Sequence, residues 1–142
     1  MKIEFNKNEL YEQLHKLSAQ LGLKLQAPEL ISSVTDDEER IEPLWQAAVV
    51  ELARCLAPYV IFSIEDDKVE YTLDLPDNWD CEWSSSLSMH CRQFLVNALF
   101  ARWLYFVSPE TANIYKTMNI ECAQAVTEIL AKRAKPQISK EE

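Results

Sequence analysis

The amino-acid sequence predicts an α+β domain that is mostly α-helical, a four-helix bundle-like fold with one β-hairpin inserted between helices 2 and 3. Three observations predict it. Apolar side chains recur at helical spacing in four separate segments. Between the second and third segments the period shortens to two, as in a strand with one wet face. The chain has 142 residues, 48% of them hydrophobic, which suffices for one domain with a buried core.

The first helix is predicted over residues 7–21. Asn6 followed by Glu9 resembles a capping box at its start. Gly22, the one glycine of the chain, follows the last leucine as a natural stop. The apolar stripe between these signals consists of leucines at helical spacing: Leu10, Leu14, Leu17 and Leu21.

The second helix is predicted over residues 36–57, and its start combines a Thr35–Glu38 capping box with acidic residues in the first turn. Pro43 lies inside this pattern. It either kinks one continuous helix or opens a second helix at its first turn, and we prefer the kink. The hairpin follows over residues 60–75, with Asp66 and Asp67 at its turn.

The third helix is predicted over residues 87–107, capped by one of the three serines at 84–86. Ser108 followed by Pro109 marks the start of the fourth helix, predicted over residues 109–134. Residues 1–134 are therefore expected to form a single domain. The remaining residues, 135–142, are polar and are expected to form a flexible tail.

The segment 94–107, FLVNALFARWLYFV, is the most apolar part of the chain. It is shorter than the ~20 apolar residues that a membrane span needs and contains an arginine, so we expect no contact with a membrane. Its apolar side chains lie on two opposite faces, whereas a surface helix has one. Either the helix is central and enclosed by the rest of the chain, or one face is covered by another subunit. The candidate partner interface on that face is Phe94, Ala98, Ala101 and Tyr105.

Two tryptophans, Trp79 and Trp83, flank the loop before the third helix and belong to no apolar stripe. Exposed tryptophans are typical of contact surfaces, so both are added to the candidate partner interface. The alternative is that they fold back over the hairpin and cover the core.

No motif in the sequence indicates catalysis or cofactor binding. Phosphate-binding loops need several glycines, and neither GxSxG nor HExxH occurs. The cluster Cys81, His90 and Cys91 lacks the short paired spacings of zinc sites, and adjacent helical residues point about 100° apart. We therefore predict no catalytic, cofactor-binding or metal-binding residues and no cofactor.

The net charge of −9 is unevenly placed, because residues 1–82 contain 18 acidic and 7 basic side chains. An acidic surface repels phosphate backbones, so we predict no nucleic-acid partner. The N-terminus has no apolar segment of the kind found in secretory signals. The four cysteines show no close paired spacing, and a cytoplasmic location with reduced thiols is expected.

Four features occur in an order that resembles small head–tail connector (adaptor) proteins of tailed phages and prophages. They are the acidic-capped helix TDDEERIEPLWQAAVVELARCL, a short β excursion, the aromatic helix RQFLVNALFARWLYFV and a last helix opened by SPETANIY. The resemblance covers roughly residues 35–134, and the helix at 7–21 departs from the pattern. It implies a ring-forming structural protein of the virion without an active site, and it carries over no individual functional residue.

We therefore expect a non-enzymatic structural or assembly protein that acts through protein contacts or self-association, with head–tail connection as its specific role. The alternative is a small cytosolic ligand-binding or regulatory domain, with a pocket between the hairpin and the third helix lined by Tyr71, Trp79 and Phe94. A hydrolase that uses His90 and Cys91 is the least favoured hypothesis.

Overall fold

The computed structural model describes residues 1–24, 38–105 and 108–135. The elements follow one another as β1 (Lys2–Asn6), α1 (Lys7–Lys24), α2 (Glu38–Leu56), β2 (Val60–Ile64), β3 (Lys68–Leu73), a short 3₁₀ helix (Cys81–Trp83), α3 (Ser84–Leu104) and α4 (Pro109–Leu130). The predicted class, α+β and mostly helical with a hairpin between the second and third helices, is confirmed.

The β-structure is a three-stranded antiparallel sheet in the order β1-β3-β2, and not an isolated hairpin. The N-terminal strand β1 was not predicted, because only Ile3 and Phe5 carry its apolar alternation. In the sheet, Ile3 lies opposite Tyr71 and Phe5 opposite Val69, so β1 gives the central strand a second neighbour. This pairing matters because a lone two-stranded hairpin is only marginally stable in water.

Helix α1 begins where the sequence predicts and ends later. The side-chain oxygen of Asn6 accepts hydrogen bonds from the backbone N–H groups of Asn8 at 2.9 Å and Glu9 at 3.2 Å, which confirms the cap. The predicted stop at Gly22 is wrong, because the helix continues to Lys24. Gly22 is buried and has no positive φ, so it lacks the left-handed conformation that glycine adopts after a helix end.

Helix α2 is continuous, with Pro43 as its sixth residue, so the one-helix alternative is the one observed. Its predicted cap at Thr35 and its first acidic residues lie outside the described residues. The third helix begins at Ser84, earlier than predicted, and no side chain caps it. The serine cap is wrong because the 3₁₀ helix runs directly into α3, where the Ser84 hydroxyl donates to the Cys81 carbonyl at 2.7 Å.

Helix α4 starts at Pro109 as predicted and ends at Leu130 instead of 134, but the predicted hydroxyl cap is wrong, because the Ser108 side chain makes no capping hydrogen bond and lies 2.9 Å from the Thr111 hydroxyl. The chain leaves the helix because its next residues pair with the loop before α3. Arg133 forms an isolated antiparallel bridge with Trp79, and the N–H of Ala134 donates to the carbonyl of Asn78 at 2.7 Å. These contacts tie the end of the described chain to that loop.

The core is centred on α3, which packs against α4, α2 and α1. Phe100 stacks on Trp103 with ring centroids 5.8 Å apart, and Tyr115 of α4 meets Phe100 edge-on at 4.7 Å. One face of the sheet joins this core, where the Tyr71 hydroxyl donates to the Val49 carbonyl of α2 at 2.8 Å. Other parts of the same chain therefore pack against most of the circumference of helix α3.

Candidate interaction surfaces

Three of the six residues predicted to form a partner interface lie inside the core. Phe94 is 3% exposed, Ala98 is 2% exposed and Trp79 is 8% exposed. The Nε1–H of Trp79 donates to the Ile129 carbonyl at 3.0 Å, so this side chain folds back onto α4. These three residues are therefore unavailable to a partner, because α2, α4 and the C-terminal segment already cover them.

The other three interface candidates remain accessible. Tyr105 is 65% exposed at the end of α3, and Ala101 is half-buried one turn earlier. Trp83 is half-buried, and the Lys132 ammonium lies 4.8 Å from its ring centroid. These residues do not form one continuous apolar face, because Trp83 and Tyr105 stand at opposite ends of α3.

The three residues predicted to line a pocket between hairpin and α3 are all buried. Tyr71 is fully buried and, like Phe94 and Trp79, belongs to the continuous hydrophobic core. Burial raises the pKa of the Tyr71 hydroxyl, with a further contribution from the nearby Cys91 thiol. The hairpin strands contact α2, and the three side chains predicted to line the pocket fill the core between the sheet and the helices.

A cleft of about 460 Å³ instead lies between α2, α3 and α4. Its apolar lining comes from Leu44, Ala98, Ala101 and Ala112. The polar lining consists of two basic side chains, one acidic side chain and two amides: Arg102, Lys116, Glu51, Asn113 and Asn119. The Arg102 guanidinium donates to the Glu51 carboxylate at 2.7 Å. The side-chain oxygen of Asn119 is buried without a hydrogen-bond partner, so an acceptor is left unsatisfied at the cleft.

A smaller depression of about 270 Å³ brings His90 and Cys122 to one surface between α3 and α4. The Nδ1 of His90 lies 2.7 Å from the Ser86 carbonyl oxygen, which can only accept, so Nδ1 carries the proton. Burial raises the pKa of the Cys122 thiol. Since a nucleophilic cysteine needs a lowered pKa, the pair does not have the chemistry of a Cys/His nucleophile.

Cys81, His90 and Cys91, which the sequence places near one another without the spacing of a zinc site, do not form a group that could hold a metal ion. Cys81 is exposed, whereas Cys91 is fully buried in the core on the neighbouring helix face. Burial, followed by the neighbouring Cys55, raises the pKa of the Cys91 thiol to about 12. The thiol is therefore protonated at neutral pH and packs as a small apolar side chain. Within the described ranges, no group of three or more His, Cys, Asp or Glu side chains is placed to hold a metal ion.

Strand β2, with the sequence VIFSI, is an uncharged edge of the sheet, and among the described residues no strand pairs with its outer side, so it is called the open edge below. Val60, Phe62 and Ile64 lie on the face that packs against the helices, since they are in register with the buried residues of β3. Phe62 is nevertheless 37% exposed and Ile64 42% exposed, and Ile61 on the opposite face is 76% exposed. The edge therefore extends beyond the helices that cover the rest of the sheet.

The other edge strand, β1, differs from β2 in its charges. Lys2 pairs with Glu70 at 3.3 Å, and Lys68 pairs with Glu4 at 3.5 Å. The carboxylates of Glu4 and then Glu65 raise the pKa of the Lys68 ammonium. Charged side chains along an edge strand discourage pairing with another chain. The edge at β1 has this protection, and the edge at β2 does not.

The backbone groups on β2 that face away from the sheet can be assigned from the hydrogen bonds of its neighbours. Asp74 N–H donates to the Tyr59 carbonyl and Glu65 N–H donates to the Lys68 carbonyl, both at 2.8 Å. In an antiparallel ladder the bonded positions alternate, so the odd-numbered residues of β2 bond to β3. The N–H and C=O groups of Val60, Phe62 and Ile64 therefore point outward, where no described strand pairs with them.

For the described residues, these observations define a mostly helical α+β fold with a cleft and a smaller depression among its helices and an uncharged sheet edge at β2. In the described part of the chain, no helix has the length and apolar character needed to cross a membrane. Comparison with protein-family models, with curated proteins and with solved structures finds no match for this chain.

Proposed function

We propose that this protein is a non-enzymatic structural or assembly protein that acts through protein–protein contacts in the cytoplasm. The observation that carries the proposal is strand β2, an uncharged edge with apolar side chains exposed on both faces. Such an edge is a template for pairing with another chain, and folded proteins usually protect edges that have no partner. The thiols with raised pKa values support the same conclusion, because they lack the activation that nucleophilic catalysis needs.

Head–tail connection in a tailed phage or prophage, with a location in the virion, is the specific role that we propose. Its support is the order of features in the sequence: an acidic-capped helix, a β excursion, an aromatic helix and a helix opened by SPETANIY. Capsid and tail genes beside the coding gene would be expected in that case.

The test is the mass of the protein in solution, measured by size-exclusion chromatography with light scattering. The protein is examined alone and mixed with each purified product of the neighbouring genes. We expect a mass above that of one chain, either alone or in one mixture, and we expect Ile61→Lys to reduce it by placing a charge on the exposed edge. Met89→Lys is the matched control, because Met89 is 61% exposed and lies on helix α3, outside the sheet. A single-chain mass in every mixture contradicts the proposal.

A second candidate function is binding of a small anionic ligand in the cleft between α2, α3 and α4. The observation that favours it is that one cleft combines an apolar lining with Arg102, Lys116 and the unsatisfied side-chain oxygen of Asn119. A volume of about 460 Å³ is within the range of small-molecule sites. A carboxylate or phosphate would meet the Lys116 ammonium and share the Arg102 guanidinium with Glu51, and a donor group on the ligand would satisfy the Asn119 side-chain oxygen.

Thermal unfolding tests this second function with phosphate and with short-chain mono- and dicarboxylates as probes. A ligand that binds only the folded state stabilises it by RT ln(1 + [L]/Kd), so the melting temperature rises with the logarithm of ligand concentration once that concentration is well above Kd. We expect a rise for at least one probe that is lost in Lys116→Gln and kept in Lys132→Gln, whose side chain lies against Trp83 instead. No rise with any probe, or an equal rise in both variants, contradicts binding in the cleft.

A further inference from the structure

We propose that the partner of strand β2 is β2 of a second copy of this chain, paired antiparallel about a twofold axis at Phe62. The two sheets would then join into one, in the order β1-β3-β2-β2-β3-β1. This inference rests on the proposed function, because it names the partner of the same open edge.

The backbone of β2 is self-complementary in this register. With Phe62 opposite its own copy, Val60 lies opposite Ile64 of the second copy, and Ile64 lies opposite Val60. These are the three residues whose N–H and C=O groups point outward. Each pair exchanges two hydrogen bonds, as bonded pairs of an antiparallel ladder do. An axis at Phe62 therefore uses every outward-facing group of the strand, whereas an axis at Ile61 or Ser63 would leave some unpaired.

The side chains of the edge fit the same arrangement. Phe62 already stacks on Tyr71, with ring centroids 5.9 Å apart, and remains 37% exposed. The second copy would place its own Phe62 against this ring and cover Ile64 with Val60. Aromatic and β-branched cross-strand pairs of this kind stabilise antiparallel sheets. On the opposite face, the exposed Ile61 would lie opposite Ser63, and no charged side chain opposes another within the strand.

The charges beside the strand select the antiparallel direction. Residues 65–67, Glu-Asp-Asp, form the turn that follows β2. Antiparallel pairing about Phe62 places this acidic turn beside residues 57–59, Ala-Pro-Tyr, of the second copy. Parallel pairing would bring the two acidic turns together in a chain whose net charge is already −9. Like charges at close range oppose such an association.

Single-cysteine crosslinking tests the register directly, in a Cys81→Ser background that removes the exposed native thiol. Phe62→Cys places the two new thiols on the axis, where the Cα atoms of a bonded pair are about 5.5 Å apart, a distance that a disulfide can bridge. Ile64→Cys is the matched control. Its two copies would lie four residues apart along the strand, about 14 Å, which is too far for a disulfide.

We expect mild oxidation to yield a covalent dimer of Phe62→Cys and to leave Ile64→Cys as single chains. Equal crosslinking of both variants would overturn the antiparallel register, and crosslinking of neither would overturn self-pairing. In that last case, a complex with a neighbouring gene product in the light-scattering experiment would leave the proposed function intact. The two proposals therefore fail separately.

Hydrogen exchange at two protein concentrations gives an independent measurement on the wild-type chain. The amides of Ile61 and Ser63 bond to β3 and should be protected at both concentrations. Those of Val60, Phe62 and Ile64 should be protected only at the higher one, where the dimer forms. Protection of all five amides in a dilute single chain would assign the edge to a segment of this same chain and overturn the dimer.

Phe62→Lys should raise the dissociation constant of the dimer by at least about tenfold, since it sets two lysines opposite each other on the axis. Ile120→Lys on α4 is the control, because Ile120 is 56% exposed and outside the sheet. An unchanged dissociation constant for Phe62→Lys, or an equal change for both variants, would overturn the proposed axis.

Discussion

Replacing Trp103 by alanine is expected to lower the free energy of unfolding by about 3–5 kcal/mol, the usual cost of truncating a buried tryptophan. Trp103 is 1% exposed and stacks on Phe100 at the centre of the bundle. The cost has two parts, the lost transfer of the indole from water and the cavity that the surrounding helices cannot fill. A domain of this size has only about 5–15 kcal/mol of stability, so a large fraction would be lost.

The measurement is urea unfolding followed by circular dichroism, with Met89→Ala as the control on the same helix. Met89 is 61% exposed, and its truncation should change the free energy of unfolding by no more than about 0.5 kcal/mol. Equal effects of the two variants would mean that α3 is not enclosed as described. If Trp103→Ala does not fold, Trp103→Phe retains part of the ring volume and should fall between the wild type and alanine.

The helical part of the fold was predictable because its signals are local. The cap at Asn6, the start at Pro109 and the apolar stripes all depend on residues within one or two turns. The errors occurred where a distant contact decided the outcome. Strand β1 is held by its pairing with β3, a segment distant in the sequence. Helix α4 ends at Leu130 because the following residues pair with the loop around Trp79.

The candidate surfaces were less predictable than the fold, because the apolar segment 94–107 gives no information about what covers each face. Phe94 and Ala98 are covered by the chain itself, whereas Tyr105 is 65% exposed. The open edge had a visible signal: VIFSI carries no charge, and its apolar residues alternate only in part. Its position at an edge depends on the strand order, which the sequence pattern of a hairpin cannot supply.

Alkaline pH is expected to destabilise the fold strongly, because its core buries two acidic protons. Burial raises the pKa of the Cys91 thiol from its ordinary 9.0 to about 12, and it also raises the pKa of the Tyr71 hydroxyl above its ordinary 10.0. The unfolded chain loses these protons at the ordinary values, whereas the folded chain retains them. Between the two values the folded state binds more protons, so its stability falls as the pH rises.

The direction and size of the change in the free energy of unfolding with pH follow from these pKa shifts. The contribution of each group to stability is complete below its own ordinary pKa, and above that pKa it is lost at about 1.4 kcal/mol for every pH unit until the folded pKa is reached. Cys91 alone would lose roughly 3 kcal/mol between about pH 9 and pH 11. Tyr71 adds to the loss above its ordinary pKa of 10.0. The half-buried Cys55, whose pKa is raised by burial and by Glu51, contributes in the same direction.

Urea unfolding midpoints measured at intervals from about pH 7.5 to pH 11 test this expectation. The midpoint should be nearly constant to about pH 8.5 and then fall steeply. Cys91→Ala should be less stable at neutral pH, because it leaves a small cavity, but its decline above pH 9 should be shallower. Cys81→Ala, which changes an exposed thiol, should follow the wild-type curve. A wild-type midpoint that stays constant to pH 11, or an equal slope in Cys91→Ala, would show that these protons are not buried in the folded chain.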